Sequence, residues 1–472
     1  MSRVLSGFEP NKVFEFFEDI CAIPHGSGNT KAISDYCVKF AKERNLTVYQ
    51  DSLNNVIIKK PASEGYEKAE PVVLQGHLDM VCEKDSNVEF DFFTDSIQLK
   101  VDGDFISANG TTLGGDDGVA VAIALAILDD DSINHPPLEV VFTTDEETGM
   151  YGAAGLDTSL ISAKRFINID SEDEGVFTVG CAGGARVDIK LPINIEYADM
   201  AAYEVTVSGL IGGHSGTEIN KGRLNANKIL GEFLSGLSDN VLISKISGGS
   251  KDNAIPVSAH CVVAFSGNIA EKAKNFEKQN RIATDNNLTV SVSKCISNIF
   301  CDLESSRKII KLLCDLPYGV QSFSKDIDGL VETSLNLGIV KSDEKEFSAS
   351  LSVRSSKSLE KAELINKLTA IGESYGANVS VRGDYPAWEY RSNSPLREKM
   401  VSVFKEIYGK EPRIEIIHAG LECGLFGEKI KNIDAVSIGP DLFDIHTPRE
   451  RLSISSLVRT YKYICSVLEA LK

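Results

Sequence analysis

The chain has seven histidines, and several stand beside acids in glycine-rich surroundings. His77 occurs in Gly76-His77-Leu78-Asp79-Met80, where an apolar run ends. An imidazole that binds a metal needs its second nitrogen held by an acceptor, and Asp79 could hold it. The bland alternative is a strand-end histidine bonded to its neighbour. Asp116 follows the glycine-rich run Gly110 to Gly115 and opens an apolar stretch. It could present a carboxylate at a helix start, although alone it reads first as an N-cap. The acids Asp145, Glu146 and Glu147 close the apolar run Leu138 to Phe142. Three successive acids there are costly unless a cation or protons compensate them; a solvated turn is the alternative. Asp170 closes Phe166 to Ile169 in the same manner, and His446 follows the short run Ala435 to Ile438.

Taken together, four apolar strands end in metal-type ligands (His77, Glu146/Glu147, Asp170 and His446), with Asp116 at the same level. Each local alternative is sound singly, but together they would require a coincidence along one sheet edge. Imidazole and carboxylate donors without a thiolate pair suit catalytic zinc. Two histidines and three carboxylates are too many for one such ion. They suit two ions bridged by one carboxylate, roughly 3.5 Å apart. Two divalent ions set against Asp116, Glu147 and Asp170 leave one positive charge. Glu146 cancels it and stays free as general base for a water molecule.

The elements that must position these residues follow from periodicity. Helix-like segments at 9–21, 30–43 and 118–128 alternate with strand-like 47–59, 71–74, 138–143 and 165–169. That alternation predicts an α/β layer with a mainly parallel central sheet, whose carboxyl edge is where sites form. From about residue 190 the texture changes to amphipathic strands, among them 203–208, 256–265, 332–340 and 346–353. Helix-like 224–237, 270–283 and 359–375 accompany them, which indicates an α+β domain. Near residue 385 the α/β texture resumes, with a helix at 395–408, strands at 413–417 and 435–438, and a closing helix at 455–471. The expected organisation is a discontinuous catalytic domain, 1–190 and 385–472, with 191–384 inserted.

The 472 residues carry a net charge of −19, with 42% hydrophobic and 25% charged residues. Such an acid excess disfavours nucleic acid or an anionic membrane as partner. No apolar run approaches the ~18 residues of a membrane span. The N-terminus has no signal-peptide pattern. Ten cysteines occur singly without a CxxC pair, which suggests reduced thiols in a cytoplasmic protein. His25, His135 and His260 read as two loop residues and one on a strand face.

Over essentially its whole length the sequence resembles the zinc-dependent di- and aminopeptidase/acylase family that includes carboxypeptidase G and the bacterial dipeptidases. Within it the resemblance is to the aminoacyl-histidine dipeptidase (Xaa-His dipeptidase, peptidase D) branch. The stretches that carry it are QGHLDMV from Gln75, GTTLGGDDG from Gly110, DEETGMYGA from Asp145, INIDSEDEG from Ile167, GLIGGHSG from Gly209, DNAIP from Asp252, ETSLNLG from Glu332 and HAGLECGLF from His418. The resemblance implies a zinc-peptidase-like catalytic domain and an inserted lid and dimerisation domain. It implies one zinc on His77, Asp116 and Asp170 and another on Asp116, Glu147 and His446, with manganese or cobalt as substitutes. It further implies that Asp79 orients His77, that Glu146 is the general base, and that the Asp116–Asp117 peptide is cis. By the same resemblance His214 reaches the partner subunit's site in a homodimer and stabilises an oxyanion. Asn253 and Arg354 match residues that hold the substrate's C-terminal carboxylate, and His418 and Glu422 lie in a pocket-lining motif. Asp117 departs from the pattern, because the branch often has Asn there; it adds a negative charge beside the bridge. The implied reaction is hydrolysis of an unblocked dipeptide.

Overall fold

The computed structural model describes residues 3–197, 201–237, 240–325, 327 and 329–472. It divides into two compact units. One comprises Met1–Gly180, Tyr390–Ile416 and Leu421–Lys472; the other comprises Cys181–Glu389 and Ile417–Gly420.

The first unit is built on an eight-stranded sheet. Its four neighbouring strands Leu138–Thr143, Val72–His77, Arg165–Asn168 and Asp434–Ser437 run parallel. Antiparallel strands flank them: Val56–Lys60 pairs with Leu138–Thr143, Thr47–Gln50 pairs with Val56–Lys60, and Val176–Cys181 pairs with Asp434–Ser437. Val72–His77 and Leu138–Thr143 are buried at every residue, as strands covered on both faces must be. The helix Gly115–Asp129 is buried on all sides from Asp117 to Leu128 and lies against both the Val72–His77 strand and the helix Asn11–Cys21. Each large aliphatic or aromatic side chain so buried contributes about 1.5–3 kcal/mol, which fixes the helix start against the strand end.

The second unit is a nine-stranded antiparallel sheet. Helices Ala226–Ser235, Ile269–Asn280, Leu303–Asp315 and Ser358–Ser374 share one core with its alternating inward residues, such as Val187, Ile189 and Leu191 of Gly183–Pro192. That strand pairs with both Glu346–Ser355 and Asn378–Tyr385, so the chain enters this sheet by residue 183. Among the described residues no helix is long and apolar enough to cross a membrane.

Candidate active site

Parallel pairing puts the ends of the four central strands in line. His77 lies opposite Thr143, and Gln75 opposite Asn168, which in turn lies opposite Ser437. The residues that follow those ends therefore share one edge: Glu146 and Glu147, Asp170, and His446. Asp116 joins them from the first turn of the buried helix. It departs from helical geometry, with φ −84° and ψ 104°, and its peptide bond to Asp117 is cis. Asp145 and His446 both take left-handed backbone conformations, φ 55° and 61°, that turn the chain back over the strand ends.

His77 Nε2 lies 3.0 Å from Asp116 Oδ1 and 3.7 Å from Asp170 Oδ1. His446 Nε2 lies 3.1 Å from Asp116 Oδ2 and 3.0 Å from Glu147 Oε1. One carboxylate thus turns an oxygen toward each of the two histidines. Donor atoms of His77, Asp116 and Asp170, and of Asp116, Glu147 and His446, form two groups, each with all atoms within 4.8 Å of one another; a third group joins His77, Glu146 and Glu147. Two imidazoles and only carboxylates beside them form a donor set that fits divalent cations of the zinc type.

Electrostatics agree with that chemistry. Burial, reinforced by Asp117, Asp116 and Glu146 and opposed by His77, raises the Asp170 carboxyl well above the usual range. Burial also raises Glu146, with Glu422, Glu147 and Asp116 adding to it and His77 opposing. Burial would depress His77, but its contacts with Asp116 and Asp79 and the charge of Asp170 lift it well above an ordinary imidazole. So dense a group of buried acids calls for positive charge among them.

Asp79 meets His77 through two of its oxygens. His77 Nδ1 is 2.9 Å from the Asp79 backbone oxygen and 3.5 Å from Oδ1. The Asp79 carboxylate accepts from Glu146 N at 3.0 Å, Glu147 N at 3.3 Å and Ser27 Oγ at 2.7 Å. Asp117 is buried, and its Oδ2 accepts the His77 N–H at 3.1 Å. An Asn oxygen can do the same, which explains why either residue suits the position.

Beneath the edge lies a buried polar network. Glu422 Oε2 accepts from Gln75 Nε2 and Thr143 Oγ1, both at 2.6 Å, and Asn168 Nδ2 donates to Gln75 Oε1 at 2.6 Å. Glu422 Oε1 has no hydrogen-bond partner, and burial pushes this carboxyl up to about 7. Glu422 stands in the HAGLECGLF stretch with no role legible from sequence, and Glu450, four residues after His446, carries no local signal that marks it.

The second unit gathers the other expected residues. The Gly213–His214 strand pairs with Ala254–Ile255, and Ser215 N donates to Asn253 O at 2.9 Å, so His214 and Asn253 are neighbours. His214 Nδ1 accepts from the N–H groups of Gly216 and Thr217 at 3.3 and 3.2 Å, which leaves the neutral ring's proton on Nε2. Asn336 Nδ2 donates to the carbonyls of Asp252 and Ala254, each at 2.9 Å, and holds the backbone on both sides of Asn253. Arg354 lies opposite Ser334, whose Oγ is 2.7 Å from His418 Nε2. Tyr385 OH accepts from Arg354 at 3.2 Å, while Arg354 Nε and His418 Nδ1 are buried without hydrogen-bond partners. Burial first, then Arg354 and His214, depress His418 to about 3. It is a neutral ring beside a guanidinium. Of the remaining histidines, His25 and His135 are buried, and His260 faces Thr206 across its strand pair.

A parallel sheet whose carboxyl edge gathers two imidazoles around a shared carboxylate defines a metal-dependent hydrolase. The chain matches peptidase family M20/M25/M40 over residues 73–470 and belongs to that family. It is 37% identical over 477 residues to the cytosol non-specific dipeptidase of Escherichia coli (strain K12), with 98% of each chain covered. The crystal structure of aminoacylhistidine dipeptidase from Vibrio alginolyticus superposes with a TM-score of 0.91 at 35% identity, covering 100% of this chain and 99% of that one. The aminopeptidase PepT from Bacillus cereus, at 15% identity, has a TM-score of 0.59 over 98% of this chain and 99% of its own, and shares the fold.

Proposed function

We propose that the chain is a cytoplasmic, zinc-dependent dipeptidase that hydrolyses unblocked dipeptides, Xaa-His among them. The observation that carries this reading is the Asp116 carboxylate, with one oxygen 3.0 Å from His77 and the other 3.1 Å from His446. His77, Asp116 and Asp170 would hold one zinc, and Asp116, Glu147 and His446 would hold the second; manganese or cobalt could replace either. Bound there, the pair would supply Lewis acidity to the scissile carbonyl and to the attacking water. Glu146 takes the proton from that water and delivers it to the leaving amine. The carboxylate of Asp79, bonded to the Glu146 and Glu147 amides, keeps the base and its neighbour in place. His214, protonated on Nε2, donates to the developing oxyanion. Arg354 and Asn253 receive the C-terminal carboxylate of the substrate, a shape that suits a guanidinium fork, and His418 lines that pocket as a neutral ring. Residues 191–384 act as lid and dimerisation domain, and in the homodimer His214 serves the partner's site.

Two relatives support a dipeptide substrate by their names, one non-specific and one aminoacylhistidine-directed. Changing Glu146 to Gln tests the reading directly. The variant should retain close to two zinc ions per chain and lose about 10²–10⁴-fold in kcat on alanyl-histidine. Substantial turnover would remove Glu146 from its role. A preference for N-acetylated over free dipeptides would shift the substrate to an N-acyl amide.

A further inference from the structure

We propose that Glu450 is a positioning residue of the metal centre: its carboxylate holds four consecutive backbone N–H groups of the loop that delivers Asp116, and thereby sets Asp116 against His446. The inference rests on the dinuclear reading above and extends it to a residue outside the metal-type donor groups of the described residues.

The geometry is a complete cradle. Glu450 Oε2 accepts from Leu113 N at 2.7 Å and Gly114 N at 3.2 Å; Oε1 accepts from Gly115 N at 2.8 Å and Asp116 N at 3.3 Å. Successive amides that converge in this way form an anion-binding nest, and a carboxylate makes charge-assisted bonds to them. The glycines permit it. Gly114 has φ +73°, and a Cβ on Gly115 would lie 3.1 Å from Glu450 Oε1 and 2.7 Å from Leu442 Cδ2. Glu450 itself is only 2% exposed.

What lies behind the cradle gives it a role beyond capping a helix. Leu442–Phe443 pairs with Arg451–Ser453, so the intervening residues form a hairpin with His446 on its connecting turn and Glu450 at its base. Arg451–Ser453 is anchored in turn on Phe105–Ala108. A local Ser or Asp could have capped the buried helix. Instead the cap comes from the hairpin that supplies the second histidine. Any displacement of that hairpin therefore moves the Asp116 loop with it, and the two ligands keep their separation. Gln at this position would turn an amide donor toward two of the four N–H groups.

The test uses the full chain, first stripped of metal. Residue-resolved hydrogen exchange should find the amides of residues 113–116 protected in the wild type, and at least tenfold faster in Glu450→Gln. Titration with Zn²⁺ should give two sites in both proteins, the weaker of them at least tenfold weaker in the variant. In the zinc-loaded enzyme kcat should fall while KM for alanyl-histidine stays within about twofold. Glu450→Asp, which keeps the charge but is one methylene shorter, should fall between the two. Wild-type amides that exchange like those of an exposed loop would overturn the proposal, and that result needs no folded variant. Unchanged zinc affinity in Glu450→Gln would overturn it as well. If the wild type itself bound fewer than two zinc ions, the dinuclear reading would fall and this inference with it; a two-zinc wild type with an indifferent variant removes this inference alone.

Discussion

Asp79 divides its work between two groups. Its backbone oxygen meets His77, and its carboxylate takes the amides of Glu146 and Glu147. Asp79→Ala should therefore leave His77 in place and loosen the Glu146 turn. The expected result is a loss of about 10–100-fold in kcat with near-normal metal content, read from steady-state kinetics and metal analysis. His418 offers a test in pH. Above the unfolded value of 6.5 the ring is neutral in both states and adds nothing. As pH falls from 6.5 toward about 3, only the unfolded chain gains the proton, so stability is lost over that interval. Denaturation of wild type and His418→Gln across pH 4–7 should show the smaller acid loss in the variant, a difference on the order of 3 kcal/mol. His77, Glu146, Glu147 and Asp170 stand out in the sequence because they lie at or just beyond the ends of apolar runs, Asp116 because it sits between a glycine-rich run and an apolar stretch, and His446 because it follows the short run Ala435 to Ile438 within a polar turn. Glu422 and Glu450 were not legible, since a buried acid that accepts from distant amides has no local signature distinguishing it from a solvated one.

At the scale of elements, the close approach of strand and helix is the constraint. A Cβ on Gly76 would lie 2.5 Å from both Ala120 Cβ and Asp117 Oδ2. Ala120 Cβ cannot yield without shifting the helix Gly115–Asp129, so Gly76→Ala should destabilise by about 1–3 kcal/mol and weaken zinc binding. Chemical denaturation and a zinc titration would measure the two effects. Elements with clear periodicity were legible nearly to the residue, as Pro395–Tyr408 and Arg413–Ile417 show. Leu242–Gly248 escaped because a register irregularity between Ile243 and Lys245 breaks its alternation. Gly183–Pro192 escaped because it opens with two glycines, and Tyr385 crowds the second of them. Leu303–Asp315 did carry a signal, an Asp302 cap on Ser305 followed by an apolar stripe through Ile309, Leu312 and Leu313.

For the whole molecule, the proposed homodimer makes the sharpest prediction. Glu146→Gln and His214→Ala chains, each inactive alone, should regain part of the wild-type rate when mixed under conditions that exchange subunits. Continued silence after exchange is demonstrated by mass would argue against shared sites. The sequence changes texture twice, near residues 190 and 385, whereas the two compact units divide after Gly180 and after Glu389. The return of residues 417–420 to the second unit was not legible, since four residues carry no periodicity.

The Asp434–Ser437 strand sits inside its sheet, between Arg165–Asn168 and Val176–Cys181. During synthesis the ribosome must therefore release residue 434 before that row can close. Until then Arg165–Asn168 offers an open template for foreign strands, and the nascent chain spends most of its translation exposed to misassembly.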